Sequence, residues 1–169
     1  MPDLVTHAFA AYLIIRWWQN PAHRAVFYLG TFLPDLLSRP IYILFPQLNL
    51  YTVALHTPIA ALIACLLLAE FFAAERGKIR WLLCGGAALH YFLDLMQRHL
   101  DNGYFWGFPL TWKSGELGWF WPETPLRLIW LWLLGMAMIE VIIALRRRKG
   151  RVRREPAPQQ GDSSPADRG

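Results

Sequence analysis

Long apolar runs, broken by very few charged side chains, dominate residues 4–145 of this sequence. Segments 57–74 and 128–145 each contain a single charged residue, Glu70 and Glu140 respectively. About 18 residues of helix measure about 27 Å, close to the roughly 30 Å hydrocarbon core of a bilayer. Only 17% of the chain is charged, whereas soluble domains average about 25%. The sequence therefore predicts an all-α integral membrane protein.

About five transmembrane or near-spanning helices are predicted, over segments 4–18, 25–33, 57–74, 79–97 and 128–145. Pro34 is expected to end the second of these helices, because proline interrupts helical hydrogen bonding. Segment 41–50 contains Pro46 and is interpreted as a re-entrant or interfacial piece. Together these segments form one helical transmembrane domain, residues 1–146. Residues 147–169 are predicted to be a basic, disordered cytoplasmic tail.

The basic tail also predicts the orientation of the chain. Arginine and lysine concentrate directly after the last apolar run, and such clusters mark the cytoplasmic side of a membrane. We therefore expect an inner-membrane protein with its N-terminus outside and its C-terminus in the cytoplasm. Membrane lipid is the expected partner of the tail and nucleic acid is not, because the tail follows an apolar span. The sequence leaves the oligomeric state open.

Residues 98–125 form a predicted loop that is rich in tryptophan, tyrosine and phenylalanine. Tyrosine and tryptophan concentrate at membrane–water interfaces, so a plain aromatic belt is one interpretation of the loop. A lid over a binding site is the other. The sequence does not decide between them.

Five histidine and aspartate side chains fall toward the same predicted side of the membrane: His7, Asp35, His56, His90 and Asp94. His90 and Asp94 are four residues apart, which places them on one helical face. Ionisable groups in a span are costly and usually face a polar cavity or one another. Imidazole and carboxylate together suit zinc or another divalent metal. A shared metal site is predicted, and a hydrogen-bonded His90–Asp94 pair is the simpler alternative.

Other polar and sulfur-bearing residues receive no firm role. His99 and Asp101 follow Asp94 closely and are either further ligands or solvated loop residues. His23 lies on the opposite predicted side. The two cysteines, Cys65 and Cys84, stand inside apolar runs and are expected to be buried small hydrophobes.

Four short motifs carry a resemblance to a known family: Met-Pro-Asp-Leu-Val-Thr-His (1–7), Leu-Gly-Thr-Phe-Leu-Pro-Asp (29–35), His-Thr (56–57) and Leu-His-Tyr-Phe-Leu-Asp (89–94). In this order and spacing they resemble the membrane-bound metal-dependent hydrolases called LexA-binding or YdjM-like inner-membrane proteins. That family is distantly similar to zinc-dependent phospholipase C. The resemblance implies that the metal ligands are His7, Asp35, His56, His90 and Asp94. It implies one or two zinc ions, because the later His-x-x-x-Glu motif of the soluble relatives is absent here.

The expected function is metal-dependent hydrolysis of a phosphoester or lipid near the outer face of the membrane. A bound metal lowers the pKa of its water and polarises the scissile group. Asp35 is the expected catalytic residue, orienting or deprotonating that water. The alternative is a non-enzymatic membrane protein that binds or transports metal. A transport pathway needs polar residues at several depths in the membrane, whereas an enzyme needs its metal ligands at a single depth.

Overall fold

The computed structural model describes residues 4–98, 104–121 and 123–152. Six α-helices and one 3₁₀ turn occupy this part of the chain: α1 (Leu4–Ile15), α2 (Pro21–Leu44), the 3₁₀ turn (Pro46–Leu48), α3 (Asn49–Leu55), α4 (Pro58–Ala69), α5 (Arg76–Met96) and α6 (Glu123–Val152). Outside the helices these residues show isolated bridges and no strand. The chain divides into two units, Met1–Leu133 and Leu134–Gly169. The helical class agrees with the sequence pattern.

The prediction of about five membrane-spanning helices is wrong. Among the described residues one segment, Leu126–Arg146 of α6, is long and apolar enough to cross a membrane. Helices α1 and α4 have 12 residues each, so each is about 18 Å long and far shorter than a bilayer core. Helices α2 and α5 are longer but carry charged side chains of both signs. The apolar runs are thus divided among short or partly polar helices.

Two Xaa-Pro steps define where α2 and α4 begin. Asn20 precedes Pro21, and its side-chain oxygen accepts from the backbone N–H of Ala22 at 2.9 Å. Thr57 precedes Pro58 and caps α4 in the same manner. A capping side chain replaces a missing helical hydrogen bond, and proline fits the first helical position because its N–H is not needed there. The second step also separates α3 from α4.

Helix α2 continues through Pro34 and Pro40 to Leu44, so the prediction that Pro34 ends it is wrong. A proline inside a helix costs about 3 kcal/mol. Nine residues of α2 are buried, and their packing outweighs that cost. The predicted re-entrant segment 41–50 is the end of α2, the 3₁₀ turn and the start of α3.

An apolar core joins α2, α4 and α5. Small and branched side chains interlock there, which suits helices at close distance. The buried members are Val26, Leu33, Cys65, Ala69, Ile79, Leu83 and Ala87. A smaller cluster of Ala11, Ile15 and Phe27 packs α1 against α2.

Two glycines set the distance between α2 and α5. A methyl group at Gly30 would collide with the backbone of Leu83, and one at Gly86 would collide with the backbone of Phe27 and Thr31. The two backbones therefore touch at positions where only glycine fits. This contact lies one turn before His90 along α5 and brings the two helices together beside the histidine and aspartate cluster.

The two ends of the chain and the aromatic loop are described only in part. Helix α6 runs to Val152, so the tail predicted over 147–169 begins within it. Residues 153–169 lie outside the described part. In the aromatic loop, residues 104–121 are described and contain no helix, and bridges join Tyr104 with Gly115 and Gln97 with Phe120.

Replacing Gly86 with alanine should destabilise the protein. The added methyl would force α2 away from α5, so we expect the free energy of unfolding to fall by about 1–3 kcal/mol. Gly77→Ala is the matched control, because nothing lies within 4 Å of its added carbon. Alanine favours helix more than glycine does, so this control should be neutral or slightly stabilising. Thermal unfolding followed by circular dichroism measures the stability of both variants. Equal changes in stability for the two would contradict the close crossing of α2 and α5.

Candidate metal centre

The structure brings all five predicted ligands into one cluster. They come from four places in the fold, and each is at most 3% exposed. Helix α1 supplies His7 and helix α2 supplies Asp35. The break between α3 and α4 supplies His56. Helix α5 supplies both His90 and Asp94.

The carboxylate of Asp94 lies at the middle of the three imidazoles. His56 Nε2 lies 2.9 Å from Asp94 Oδ2, and His90 Nε2 lies 3.2 Å from the same oxygen. His7 Nε2 lies 3.5 Å from Oδ1, and its ring stacks on that of His90 with 4.3 Å between the centroids. Three nitrogen atoms thus converge on one buried anion.

Two overlapping groups in this cluster could hold a metal ion. One consists of His7, His90 and Asp94, and the other of Asp35, His56 and His90. In each group the candidate ligand atoms lie within 4.8 Å of one another. The Nε2 atoms of His56 and His90 are 3.4 Å apart. Two nitrogens bound tetrahedrally to one zinc ion, each at about 2.0–2.1 Å, are about 3.3 Å apart. The donor set and its spacing therefore fit a zinc-like ion.

The protonation states of Asp94 and His90 also suit a metal. Burial alone raises the pKa of the Asp94 carboxyl, but hydrogen bonds from His56, His7 and His90 outweigh burial and hold the pKa well below its usual range. Burial lowers the pKa of His90, and the neighbouring Asp94 opposes this only in part. A charged carboxylate and neutral imidazoles are the forms that bind zinc.

Local sequence and a serine hold His56 in place. The Thr57–Pro58 step ends α3 and starts α4, which leaves His56 at the break. Ser38 Oγ donates to the carbonyl of Pro34 at 3.0 Å and lies 3.2 Å from His56 Nδ1. With its hydrogen engaged, the hydroxyl is placed to accept from Nδ1–H, which is the tautomer that a metal ion bound at Nε2 would require.

Sequence reasoning missed Ser38, Arg39 and Tyr104. The guanidinium NH2 of Arg39 lies 2.9 Å from Asp35 Oδ2, and Asp35 Oδ1 lies 3.8 Å from His56 Nδ1. Asp35 thus faces the histidine cluster with one oxygen and the arginine with the other. The four-residue spacing of Asp35 and Arg39 on α2 could have revealed the ion pair. No sequence signal marks Ser38.

One residue of the aromatic loop covers the cluster. The ring of Tyr104 is buried and stacks on His56 with 4.6 Å between centroids. Burial, followed by the charge of Asp94, raises the pKa of the Tyr104 phenol. Trp106 contacts both Tyr104 and Tyr91 edge-on. This arrangement favours the lid interpretation for the part of the loop that begins at Tyr104.

Some buried polar atoms at the cluster find no hydrogen-bond partner within residues 4–98, 104–121 and 123–152. They include the phenol oxygen of Tyr91 and the Nδ1 atom of His90. Burial raises the pKa of Tyr91, and the charge of Asp94 adds to it, so its hydroxyl keeps its proton. Unsatisfied buried polar atoms are rare in folded proteins and often mark a site for water, an ion or a ligand.

The remaining candidates lie elsewhere. His23 belongs to neither metal group and lies 2.7 Å from Glu75 through its Nε2 atom. His99 and Asp101 are outside the described residues. Cys65 and Cys84 are free thiols, and burial, followed by the neighbouring Cys84, raises the pKa of Cys65 to about 12. A thiol that keeps its proton is an inert packing group.

Comparison with known proteins identifies no family for this chain. No protein-family model, no curated protein and no solved structure matches it significantly. The resemblance carried by the four short motifs stays a prediction, and the argument for function rests on the geometry of the cluster.

Removing the Ser38 hydroxyl should weaken metal binding without removing a ligand. Loss of a group that orients a ligating imidazole typically lowers metal affinity 10–100-fold, so we expect Ser38→Ala to bind zinc about tenfold more weakly. Thr31→Val is the control, because Thr31 is an equally buried hydroxyl on α2 that donates to the carbonyl of Phe27. Competition with a chromophoric chelator measures both affinities. Equal affinities for the two variants would show that Ser38 does not orient His56.

Proposed function

We propose that this chain is a metal-dependent hydrolase that acts on phosphoesters. The observation that carries the proposal is the convergence of three imidazoles and two carboxylates, all buried, from four segments of the fold. We assign one divalent ion, with zinc as first choice. A single ion is the simpler assignment because His90 belongs to both candidate groups.

The residues of the cluster divide into ligands and groups that act on substrate. His7, His56, His90 and Asp94 would hold the ion. When bound, such an ion lowers the pKa of a water ligand and polarises a phosphoryl oxygen. Asp35 stands at the edge of the cluster, where its carboxylate would orient the attacking water and accept its proton.

Arg39 and Tyr104 give the site its remaining features. A guanidinium matches the geometry of phosphoryl oxygens and carries a permanent positive charge, and Arg39 lies against Asp35. The ring of Tyr104 excludes water from the face of His56 on which it stacks. A dry site strengthens each of the electrostatic interactions within it.

A non-enzymatic metal-binding or transport protein is the rival function. Transport requires polar groups distributed along a pathway. The two candidate metal groups in the described residues share His90 and form one cluster, and the neighbouring core of α2, α4 and α5 is apolar. This arrangement favours a single reaction site over a pathway.

We also propose that α6 anchors the chain in the inner membrane. The segment Leu126–Arg146 is apolar, and no residue in its most apolar stretch is buried. Basic residues follow it directly in the sequence, which favours a cytoplasmic C-terminus. A single span of this orientation would leave the metal cluster on the outer side.

Truncation before α6 should release the protein from membranes. We expect the full chain to stay in the pellet after carbonate extraction and a chain ending at Trp121 to move to the supernatant, because the truncation removes the Leu126–Arg146 segment. Zinc binding by the released chain checks that it is folded. A truncated, zinc-binding chain that still resists extraction would show that other elements attach it to the membrane.

Single substitutions in the cluster should abolish hydrolysis. His90→Ala and Asp94→Asn each remove a ligand from the same face of α5, so both should lose stoichiometric zinc and lower kcat/KM for a phosphodiester at least about a hundredfold. His23→Ala is the control. His23 is also a buried histidine and pairs with Glu75, but it belongs to neither metal group. It should keep its metal and its activity. Metal analysis and a screen of phosphomonoesters, phosphodiesters and phospholipids give the readouts.

The same experiment separates the two candidate functions. Wild-type protein that binds zinc stoichiometrically but turns over no phosphoester would favour the binding or transport protein. Full activity in His90→Ala would exclude the cluster as the reaction site.

A further inference from the structure

An apolar groove lies between the first turn of α1 and residues 32–44 of α2. Its cavity volume is about 430 Å³, within the range of about 300–1,000 Å³ that small-molecule sites occupy. Most of its wall is aliphatic or aromatic, with two charged residues. The main lining residues are Leu4, Phe32, Asp35, Leu36, Arg39 and Ile43.

The groove and the metal cluster share a wall. Asp35 lines the groove and also belongs to a candidate metal group. The two helices that form the groove each supply a residue of the cluster, His7 from α1 and Asp35 from α2. A molecule lying in the groove therefore has one end beside the site of hydrolysis.

The charges at this shared wall favour an anion. Asp35 and Asp94 are the carboxylates of the cluster, and one divalent ion would balance both of them. The guanidinium of Arg39 then adds a positive charge at the groove, and uncompensated charge in a poorly hydrated site attracts a counter-ion. Away from Asp35 and Arg39 the groove offers only apolar side chains such as Leu36 and Ile43, which are 54% and 71% exposed.

We propose that this groove binds one alkyl chain of an anionic membrane phospholipid, with the phosphate against Arg39 and the chain along Leu36 and Ile43. The proposal rests on the proposed hydrolase function and names its substrate class. Each methylene group of the chain that is buried in the groove raises the binding affinity about fourfold. The arginine then positions the phosphoester next to the cluster. A lipid chain could enter sideways, because the apolar lining of α2 is open to the surroundings.

Cysteine protection tests the occupant of the groove. Leu36→Cys reports on the groove, and Leu67→Cys reports on a similarly exposed leucine of α4, which is 62% exposed. Each variant of the full chain, loaded with zinc, is placed in nanodiscs of phosphatidylcholine with or without phosphatidic acid. Labelling by an uncharged maleimide is timed, with the parent chain as the background for Cys65 and Cys84.

We expect phosphatidic acid to slow labelling at Leu36→Cys about tenfold, the size of one charge-assisted hydrogen bond, and to leave Leu67→Cys unchanged. Adding Arg39→Gln to Leu36→Cys should remove the difference between the two lipid compositions. Inorganic phosphate in phosphatidylcholine nanodiscs should not protect Leu36→Cys, because it has no chain to cover that position.

Equal slowing at both cysteines, or protection that persists with Arg39→Gln, would overturn the groove proposal. The outcome is independent of catalysis. Hydrolysis without protection retains the proposed function and removes the lipid groove. Protection without hydrolysis retains the groove and removes the hydrolase.

Discussion

One buried carboxylate surrounded by imidazoles organises the first unit of this protein. Asp94 is fully buried, and a charge that leaves water must find compensating partners in the protein. Those partners are His7, His56 and His90, which come from three different segments. The requirement to satisfy one anion thus ties α1, the break between α3 and α4, and α5 together. A divalent cation in the same place would satisfy all of these groups more fully than hydrogen bonds do.

Close helix packing makes this convergence sterically possible. Imidazole and carboxylate side chains are short, so their backbones must approach one another before the polar atoms can meet. Gly30 and Gly86 remove the side chains at the crossing of α2 and α5, and small residues such as Ala87 and Cys65 fill the neighbouring core. The apolar packing therefore supplies the stability, and the cluster uses the distances that the packing establishes.

The prediction of about five membrane-spanning helices failed because composition and helix length are separate properties. A run of apolar residues predicts that the segment leaves water, but it does not say whether the segment enters the protein interior or a lipid bilayer. In this chain the Thr57–Pro58 step and the turn after Ala69 limit α4 to 12 residues. Likewise, α2 uses its apolar side chains to pack against α5. Within the part of the chain that the structure describes, only the Leu126–Arg146 segment combines sufficient length with apolar side chains that stay unburied.

The sequence by itself determined the helical class and the identity of the five cluster residues, because helical periodicity and isolated polar groups in apolar runs are local signals. The His90–Asp94 pair is the clearest case, since four residues of helix place both on one face. Only the tertiary structure decided how far α2 extends, that Ser38 contacts His56, that Tyr104 stacks on it, and that Arg39 joins the cluster to an apolar groove. These features depend on contacts between residues distant in the chain, and the separation of two helices follows from how their surfaces fit rather than from either sequence segment alone.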